Sequence, residues 1–549
     1  MESKRGMYDV AEICRFHSAN QVVLCPGSRC APLTLAFSRT QGIQCYTIVD
    51  ERSAAYIAMG IAETSSKTVV LVCTSGTAVL NFAPAIAEAF FKKIPLLVLT
   101  ADRPQRMIGQ QDGQTIFQQH VFGAHVKKSY SVSGDVRTQD ETDYLHRIVN
   151  EALIISQQES KGPVHINISF EEPLYSLQPI EKPPRFITSL HGENITEILQ
   201  YWNRRYTKWL VMPGAGFHHD SNDFTGINIP VLAEAISNHR GKNIISNANE
   251  VIRFAAEEGK AKLSPEVLIT FGNGVVSKGL KSFIRNVKPA VHLHISSSAE
   301  VMDTYGCLTH VCALPENEVL GRIKELNISS EFQTVWMNFS EITQKRVDEL
   351  TGSVPFSDLS AYRFATSRIP AGVLLHVGNS MAVRYLNLYS FLLPESVTVF
   401  CNRGTSGIDG TISTAVGTAL VSEKPVWVFT GDLSFHYDGN ALWNPYIPNN
   451  IRIVVFNNSG GGIFRLIDGS ASVPEMAERF EARIQSSARH KAGAHGMDYY
   501  SASSFAELET CWNHFVDKGT KGKILEIFTD AETNSAVFNF YLKQLSQII

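Results

Sequence analysis

Short β-branched and leucine-rich runs alternate with amphipathic segments along the first third of the chain. QVVLC (21–25) leads into PGSRCAPLTLAFSRT, QCYTIVD (44–50) into ERSAAYIAMGIAE, TVVLVC (68–73) into TSGTAVLNFAPAIAEAFFKK, and IPLLVLT (94–100) into ADRP. GPVHINIS (162–169) follows a further helical stretch. Near-continuous apolar runs, each followed by a helix, predict a parallel sheet covered on both faces. The middle third repeats the alternation in KWLVMPGAG, IPVLAEA, NIISNA, EVLITFGNG and AVHLHISS. The last third repeats it in GVLLHVGNS (372–380), VTVFCNRGTSG (397–407), VWVFTGD (426–432), IRIVVFNNSGGG (451–462) and KILEIFTD (523–530). The Pro-rich EEPLYSLQPIEKPPRF (171–186) reads as a linker, and a second is expected near residues 350–357. The pattern predicts an α/β protein of three doubly wound domains with mostly parallel sheets, at residues 1–180, 187–350 and 355–549. HKAGAHG (490–496) reads as a loop.

Composition changes little in this picture but excludes several classes. Of 549 residues, 44% are hydrophobic and 19% charged, which suits a globular chain and not a disordered or collagen-like one. With 49 Lys+Arg against 53 Asp+Glu the net charge is −4, and no basic block invites nucleic acid. The uncharged stretch between Lys67 and Glu88 is long enough to span a membrane, but Ser75, Gly76, Asn81 and Pro84 break it into strand, turn and helix. The N-terminal MESKRGMYDVAEI lacks the apolar core of a signal peptide, and nine scattered cysteines without a CxxC pair suit reduced thiols. A cytoplasmic protein without a membrane span or a zinc site is expected.

The polar motifs GSR, DER, TSG, ADR, GNS, NRG, GD and NN all fall directly after a strand. In open α/β sheets ligands bind at the carboxyl ends of strands, so these motifs mark a working edge in each domain. The sharpest is Gly431-Asp432, then 25 residues, then Asn458 within NNSGGG. FHYDGNALWNPY between them has the length of a crossover helix, and a βαβ unit brings both side chains to one edge. A carboxylate, an amide oxygen and a loop carbonyl, Gly460, are hard ligands suited to Mg²⁺ with phosphate oxygens. A helix cap beside a flexible glycine loop is the plainer reading of the same residues. There is no GxxxxGK[ST], so a P-loop is not supported.

With this spacing the motif resembles the diphosphate site of thiamin diphosphate (ThDP) enzymes. That resemblance implies a carboxylic acid on the pyrimidine-binding domain in contact with the aminopyrimidine ring. Glu51, directly after YTIVD, is the candidate; a helix-dipole partner is the alternative. PGSRCAPLTL, VDERSAAYIAMGIAE, CTSGTA, LTADRP, VGNSMAVR, NRGTSGIDG, GDLSFHYDGNAL and NNSGGGIF together resemble the MenD family, the 2-succinyl-5-enolpyruvyl-6-hydroxy-3-cyclohexene-1-carboxylate synthases of menaquinone biosynthesis, over almost the whole chain. The resemblance implies ThDP with Mg²⁺ or Mn²⁺, decarboxylation of 2-oxoglutarate, and 1,4-addition of the succinyl unit to isochorismate. It also implies a homodimer or homotetramer in which two subunits share each cofactor.

By the same resemblance Arg29, Arg103, Gln114 and Lys278 address isochorismate, Ser28 is a further substrate-binding residue, Ser380 and Arg384 hold the distal carboxylate of the succinyl unit, and Arg403 lies close to either substrate. Asp432, Asn458 and Gly460 are implied as metal ligands, and Gly431, Leu433 and Ser434 as neighbours of the diphosphate. Ile408 is implied as the buttress of the bent cofactor, with Ile463 and Phe464 beside the bound intermediate. Both substrates are dicarboxylates, and arginine grips carboxylates with a two-pronged fork, so local clusters of Arg make sense in a near-neutral chain. Two positions depart from the family pattern: Gly113 precedes Gln114 where Asn or Pro is usual, and Ser277-Lys278-Gly279-Leu280 lacks the usual Arg, for which Lys281 or Arg285 is the candidate replacement. A different ThDP carboligase or decarboxylase, and an inactive ThDP-fold ligand binder, are the competing readings.

Overall fold

The computed structural model describes residues 6–158, 160–175, 183–192, 194–216, 224–298, 300–466 and 473–545. Residues 176–182 of the expected linker, and the first five of the chain, lie outside them. The structure clusters into two compact units, Met1–His191 with Ser297–Ala313, and Gly192–Ser296 with Leu314–Ile549.

In the first unit the strands are β1 Gln21–Leu24, β2 Gln44–Thr47, β3 Val69–Cys73, β4 Leu96–Asp102, β5 Ser129–Ser133 and β6 Val164–Ser169. They form one sheet in the order β2-β1-β3-β4-β6-β5, parallel throughout. Alternate residues serve opposite faces: Val22 and Leu24 enter one apolar cluster, Val23 and Cys25 the other. Helices cover both faces, which is why these strands are apolar without alternation. Each Val or Leu so buried contributes roughly 1.5–3 kcal/mol relative to exposure. The uncharged stretch after Lys67 is β3, a turn and the helices Thr77–Asn81 and Ala83–Lys92, as expected. Among the described residues no helix is long and apolar enough to cross a membrane. The same unit contains β7 Thr188–Leu190, parallel to a strand at His310–Cys312. Ile154, Ile187, Val301, Leu308 and Val311 form a small core there, and buried Asp303 pairs with Arg185.

In the second unit β8 Trp209–Pro213, β9 Val231–Leu232, β10 Ile244–Ile245, β11 Val267–Phe271 and β12 Val291–Ile295 lie in the order β10-β9-β8-β11-β12. The His310–Cys312 strand is β13 in chain order, and β14 Leu374–Val377, β15 Thr398–Phe400, β16 Val426–Gly431, β17 Ile451–Asn457, β18 Asp498–Ala502 and β19 Lys523–Phe528 follow. These last six adopt the order β15-β14-β16-β17-β19-β18, the same permutation as the first sheet. Val426 and Val428 pack on one face, Trp427 and Phe429 on the other. The second connection is short: the helix Glu331–Gly352 runs almost to the next, which starts at Asp358.

Two local expectations change. HKAGAHG is mostly helix, Ala488–Ala494, because Ser487 Oγ accepts the Arg489 amide and Ala488 and Ala492 are buried. The crossover after Asp432 is a short helix, Asp432–Tyr437, followed by a 3-10 turn at Gly439–Leu442.

Candidate active site

The strand order of the first sheet reverses between β1 and β3, and the equivalent reversal in the last sheet lies between β14 and β16. Crevices at such switch points are the places where α/β sheets bind ligands. Of the motifs singled out in the sequence, Ser28 and Arg29 follow β1, Ser380 follows β14 and Asp432 follows β16 at these points, while Arg103 after β4 and Asn458 after β17 lie one strand farther along.

In the first unit Arg29 is 6% exposed. Its Nη1 donates to the Phe170 carbonyl at 3.0 Å and Nη2 to Glu172 at 3.4 Å, while its buried Nε has no partner. Burial lowers its pKa, and the neighbouring Arg103 guanidinium lowers it further. Arg103 donates to Ser75 Oγ at 2.7 Å and to the Gln114 carbonyl at 3.1 Å, and pairs with Asp112 at 2.9 Å. Beneath it, Gln118 is buried and accepts the Gly76 amide at 2.9 Å. Two adjacent guanidinium groups so held repel each other, and a dicarboxylate relieves that repulsion. Ser28 and the Gln114 side chain are exposed at the same edge.

Glu51 opens the helix Glu51–Ser65, capped by Asp50, whose side chain accepts the Ser53 amide at 3.0 Å. It is half-buried beside the end of β1, near enough to help hold the Cys25 thiol, pushed up to about 12 chiefly by burial, in its neutral form.

In the second unit Asp432 is 2% exposed. It accepts the Leu433 amide at 2.7 Å and the Gly460 amide at 2.9 Å. Burial nevertheless pushes its carboxyl up to about 7. Asn458 donates its Nδ2 to Asp358 at 2.7 Å, and its Oδ1 is buried without a partner. A desolvated carboxylate and an orphaned amide oxygen on adjacent strand ends fit a divalent cation, which prefers oxygen ligands. Gly460 completes the loop at φ +150, where a Cβ would come 2.7 Å from the Glu481 carbonyl oxygen. Among the described residues its own carbonyl accepts one backbone amide, that of Gly462 at 3.1 Å, and a carbonyl oxygen has a second lone pair with which to meet a cation. Among the described residues no group of three His, Cys, Asp or Glu side chains could hold a metal, so such a site depends on the amide and carbonyl oxygens. Gly460→Ala should cost about 1–3 kcal/mol in backbone strain; a lower apparent Tm together with weaker Mg²⁺ binding is the expected observation.

Ser434 donates to the Ile408 carbonyl at 2.5 Å, which ties the start of the Asp432 helix to the NRGTSGIDG loop. Ile408 itself is 40% exposed. Arg403 donates to Asn379 at 2.9 Å, and Asn379 in turn holds the Asn402 and Gly407 carbonyls. Arg384 bonds back to the Ser380 carbonyl, and Ser380 adopts φ 64. Burial and the nearby Arg403 lower the Arg384 pKa, while Glu234 opposes them.

Arg384, Lys278 and Ile463 line a cavity of about 400 Å³ together with Glu234, Asn249 and Tyr541. Phe464 is half-buried in the same loop as Ile463. Neither Arg403 nor Ile408 lines this cavity.

Residues 4–126 match the family profile described as "Thiamine pyrophosphate enzyme, N-terminal TPP binding domain". A 2-succinyl-5-enolpyruvyl-6-hydroxy-3-cyclohexene-1-carboxylate synthase from Cytophaga hutchinsonii is 38% identical over 99% of both chains. Those from Flavobacterium johnsoniae and Bacteroides thetaiotaomicron are each 36% identical, over 98% and 99% of both chains respectively. The chain belongs to the MenD synthase family.

Its two departures from the MenD pattern have different physical standing. A Cβ at Gly113 meets nothing within 4 Å, so packing does not demand glycine there. At Gly279 a Cβ would come 2.6 Å from Asn249 Oδ1, which also accepts the Ser277 hydroxyl at 2.6 Å. Asn249 thus occupies the space that a side chain at 279 needs. Lys281 lies within electrostatic reach of Glu234, Arg403, Arg285 and Arg384. Ala is favoured over Gly by about 1 kcal/mol inside a helix. Gly279→Ala should therefore stabilise the protein only when Asn249→Ala is also present, as a thermal double-mutant cycle can check.

Residues that sequence reasoning passed over hold the MenD loops. Glu234 is buried and clamps the Val276 and Ser277 amides at 2.5 and 2.7 Å. Ser277 caps the helix Lys278–Val287 by accepting the Leu280 amide. Glu234 followed a strand in IPVLAEA, but no motif spacing linked it to a loop some forty residues on.

Proposed function

We propose that the protein decarboxylates 2-oxoglutarate and adds the succinyl unit to isochorismate, the synthase reaction of its family, with ThDP and Mg²⁺ or Mn²⁺. The observation that carries the substrate class is the crowding of guanidiniums, buried Arg29 beside half-buried Arg103 and half-buried Arg384 beside half-buried Arg403. Such like-charged pairs repel in a partly desolvated setting, and an anion of matching charge offsets that repulsion.

Bound ThDP supplies the electron sink that a 2-oxo acid needs in order to lose CO₂. The chain's own residues bind, orient and exclude water. Asp432, Asn458 and the Gly460 carbonyl hold the cation, and Gly431, Leu433 and Ser434 border the diphosphate. Glu51 would hold or yield a proton at the aminopyrimidine ring, and Ile408 would support the bent cofactor. Ser380 and Arg384 bind the distal carboxylate of 2-oxoglutarate, with Arg403 close by. Ser28, Arg29, Arg103, Gln114 and Lys278 bind isochorismate, while Ile463 and Phe464 keep water from the reacting carbon. Fixing two substrates against one another replaces a bimolecular encounter with an intramolecular one.

The same reading divides the chain into a pyrimidine-binding domain, a middle domain and a diphosphate-binding domain, at residues 1–180, 187–350 and 355–549. It pairs subunits in a homodimer or homotetramer. Val49, Tyr56, Ile57, Leu80 and Phe117, all on the Glu51 unit, are exposed apolar residues that support such an interface. The nine free cysteines support a reducing, cytoplasmic setting. Mass analysis of a reaction containing ThDP, Mg²⁺, 2-oxoglutarate and isochorismate should show one product carrying both carbon skeletons. Succinic semialdehyde as the only product would instead identify a simple decarboxylase.

A further inference from the structure

A cation ligand supplied by a side-chain amide has a weakness: its oxygen and nitrogen can exchange places by rotation of the terminal group. Only the oxygen ligates. Something must decide which end of Asn458 faces the cation. Asn458 Nδ2 donates to Asp358 Oδ2 at 2.7 Å, and the opposite end, Oδ1, is buried and unpartnered.

Asp358 is itself held from three sides. Its other oxygen accepts the Thr529 hydroxyl at 2.6 Å, and its backbone amide donates to Asn534 at 2.7 Å. Asn534 Nδ2 closes the ring on Thr529 at 3.0 Å. The carboxylate is 3% exposed, at the first position of the helix Asp358–Ser367, whose capping box is formed by Ser357 and Ser360. Both Asp358 oxygens act as acceptors, one from Thr529 and one from Asn458 Nδ2, so the Asn458 amide has one orientation against it, with its oxygen turned away.

We propose that Asp358 is a positioning residue which fixes the Asn458 side-chain amide with its oxygen toward the cation. The inference rests on the reading of Asp432 and Asn458 as cation ligands. Partners of metal ligands in other proteins are worth about 10–100-fold in affinity.

The test is Mn²⁺ titration of the full-length protein in the presence of ThDP, read as free Mn²⁺ by electron paramagnetic resonance. Asp358→Ala should weaken Mn²⁺ binding about 10–100-fold, while Asp358→Asn, which still offers an oxygen to Nδ2, should stay within about threefold of the parent. Asn458→Ala is the control for the underlying reading: unaltered Mn²⁺ binding there would remove the cation site itself. With that control showing loss, a folded Asp358→Ala protein that binds Mn²⁺ like the parent overturns the proposal. Equal losses in Asp358→Ala and Asp358→Asn also overturn it, because charge and not orientation would then be at work. Should Asp358→Ala fail to fold, Asp358→Leu, which fills the space and accepts nothing, replaces it: weakened Mn²⁺ binding supports the orientation role, and parental binding contradicts it.

Discussion

Glu51→Gln is expected to lower turnover by about 10²–10⁴-fold, the usual worth of a positioned proton-transfer group, while ThDP binding stays within a few-fold of the parent. Glutamine keeps the length and hydrogen-bonding capacity of Glu51 but holds neither the charge nor the proton. The structural consequence should be small. The helix keeps its Asp50 cap, and loss of one first-turn charge costs only a few tenths of a kcal/mol at an exposed terminus. Parallel measurement of turnover and of ThDP affinity therefore separates a role in chemistry from a role in folding. Near-normal turnover in a variant that binds ThDP would remove Glu51 from the chemistry and leave it as a helix-terminal charge.

Asp432→Ala is expected to act on binding instead. Loss of a direct ligand should exceed the roughly 100-fold that loss of an outer partner can cost in cation affinity. ThDP, held through the cation, should be lost with it. Calorimetric titration with Mg²⁺ in the presence of ThDP checks this. Leaving the Leu433 and Gly460 amides without that acceptor should cost about 1–3 kcal/mol each, so a thermal melt beside the titration separates lost binding from lost stability. The two variants can also be mixed. If Glu51 of one subunit serves the diphosphate site of another, half of the dimers formed from equal amounts carry one intact site, and about a quarter of parental activity returns. Mixtures no more active than their parents would contradict the shared site.

The doubly wound architecture was legible because both sheets that carry the proposed ligands are apolar on both faces, and runs such as VVLVC and VWVF show this without alternation. The edge strands β5 and β18 were not. SYSVS and DYYSA are only partly buried and have one neighbour each, so their composition resembles that of loops. HKAGAHG misled for a related reason. Glycine and histidine are weak helix formers, but burial of Ala488 and Ala492 and the Glu526 carboxylate on the Ala488 amide outweigh that preference.

At the candidate site, residues carried by compact motifs could be read from the chain, since Asp432, Asn458, Arg29 and Arg103 each lie in the segment that follows a strand. Those that hold the motifs in place could not. Asp358 stands 100 residues from Asn458, and Glu234 stands 42 from Val276. Each looks in the sequence like an ordinary acid beside a helix or strand. Only tertiary contact reveals the connection. Gly279 shows the converse. Its departure from the family pattern was visible in the chain, but the reason, Asn249 filling the space, was not.

The most direct measurement is CO₂ release from 2-oxoglutarate, with and without isochorismate, using ThDP-depleted protein as the control. The account predicts ThDP-dependent release that isochorismate accelerates, with one molecule of adduct formed for each CO₂. Release indifferent to isochorismate, or none with either substrate present, would contradict it.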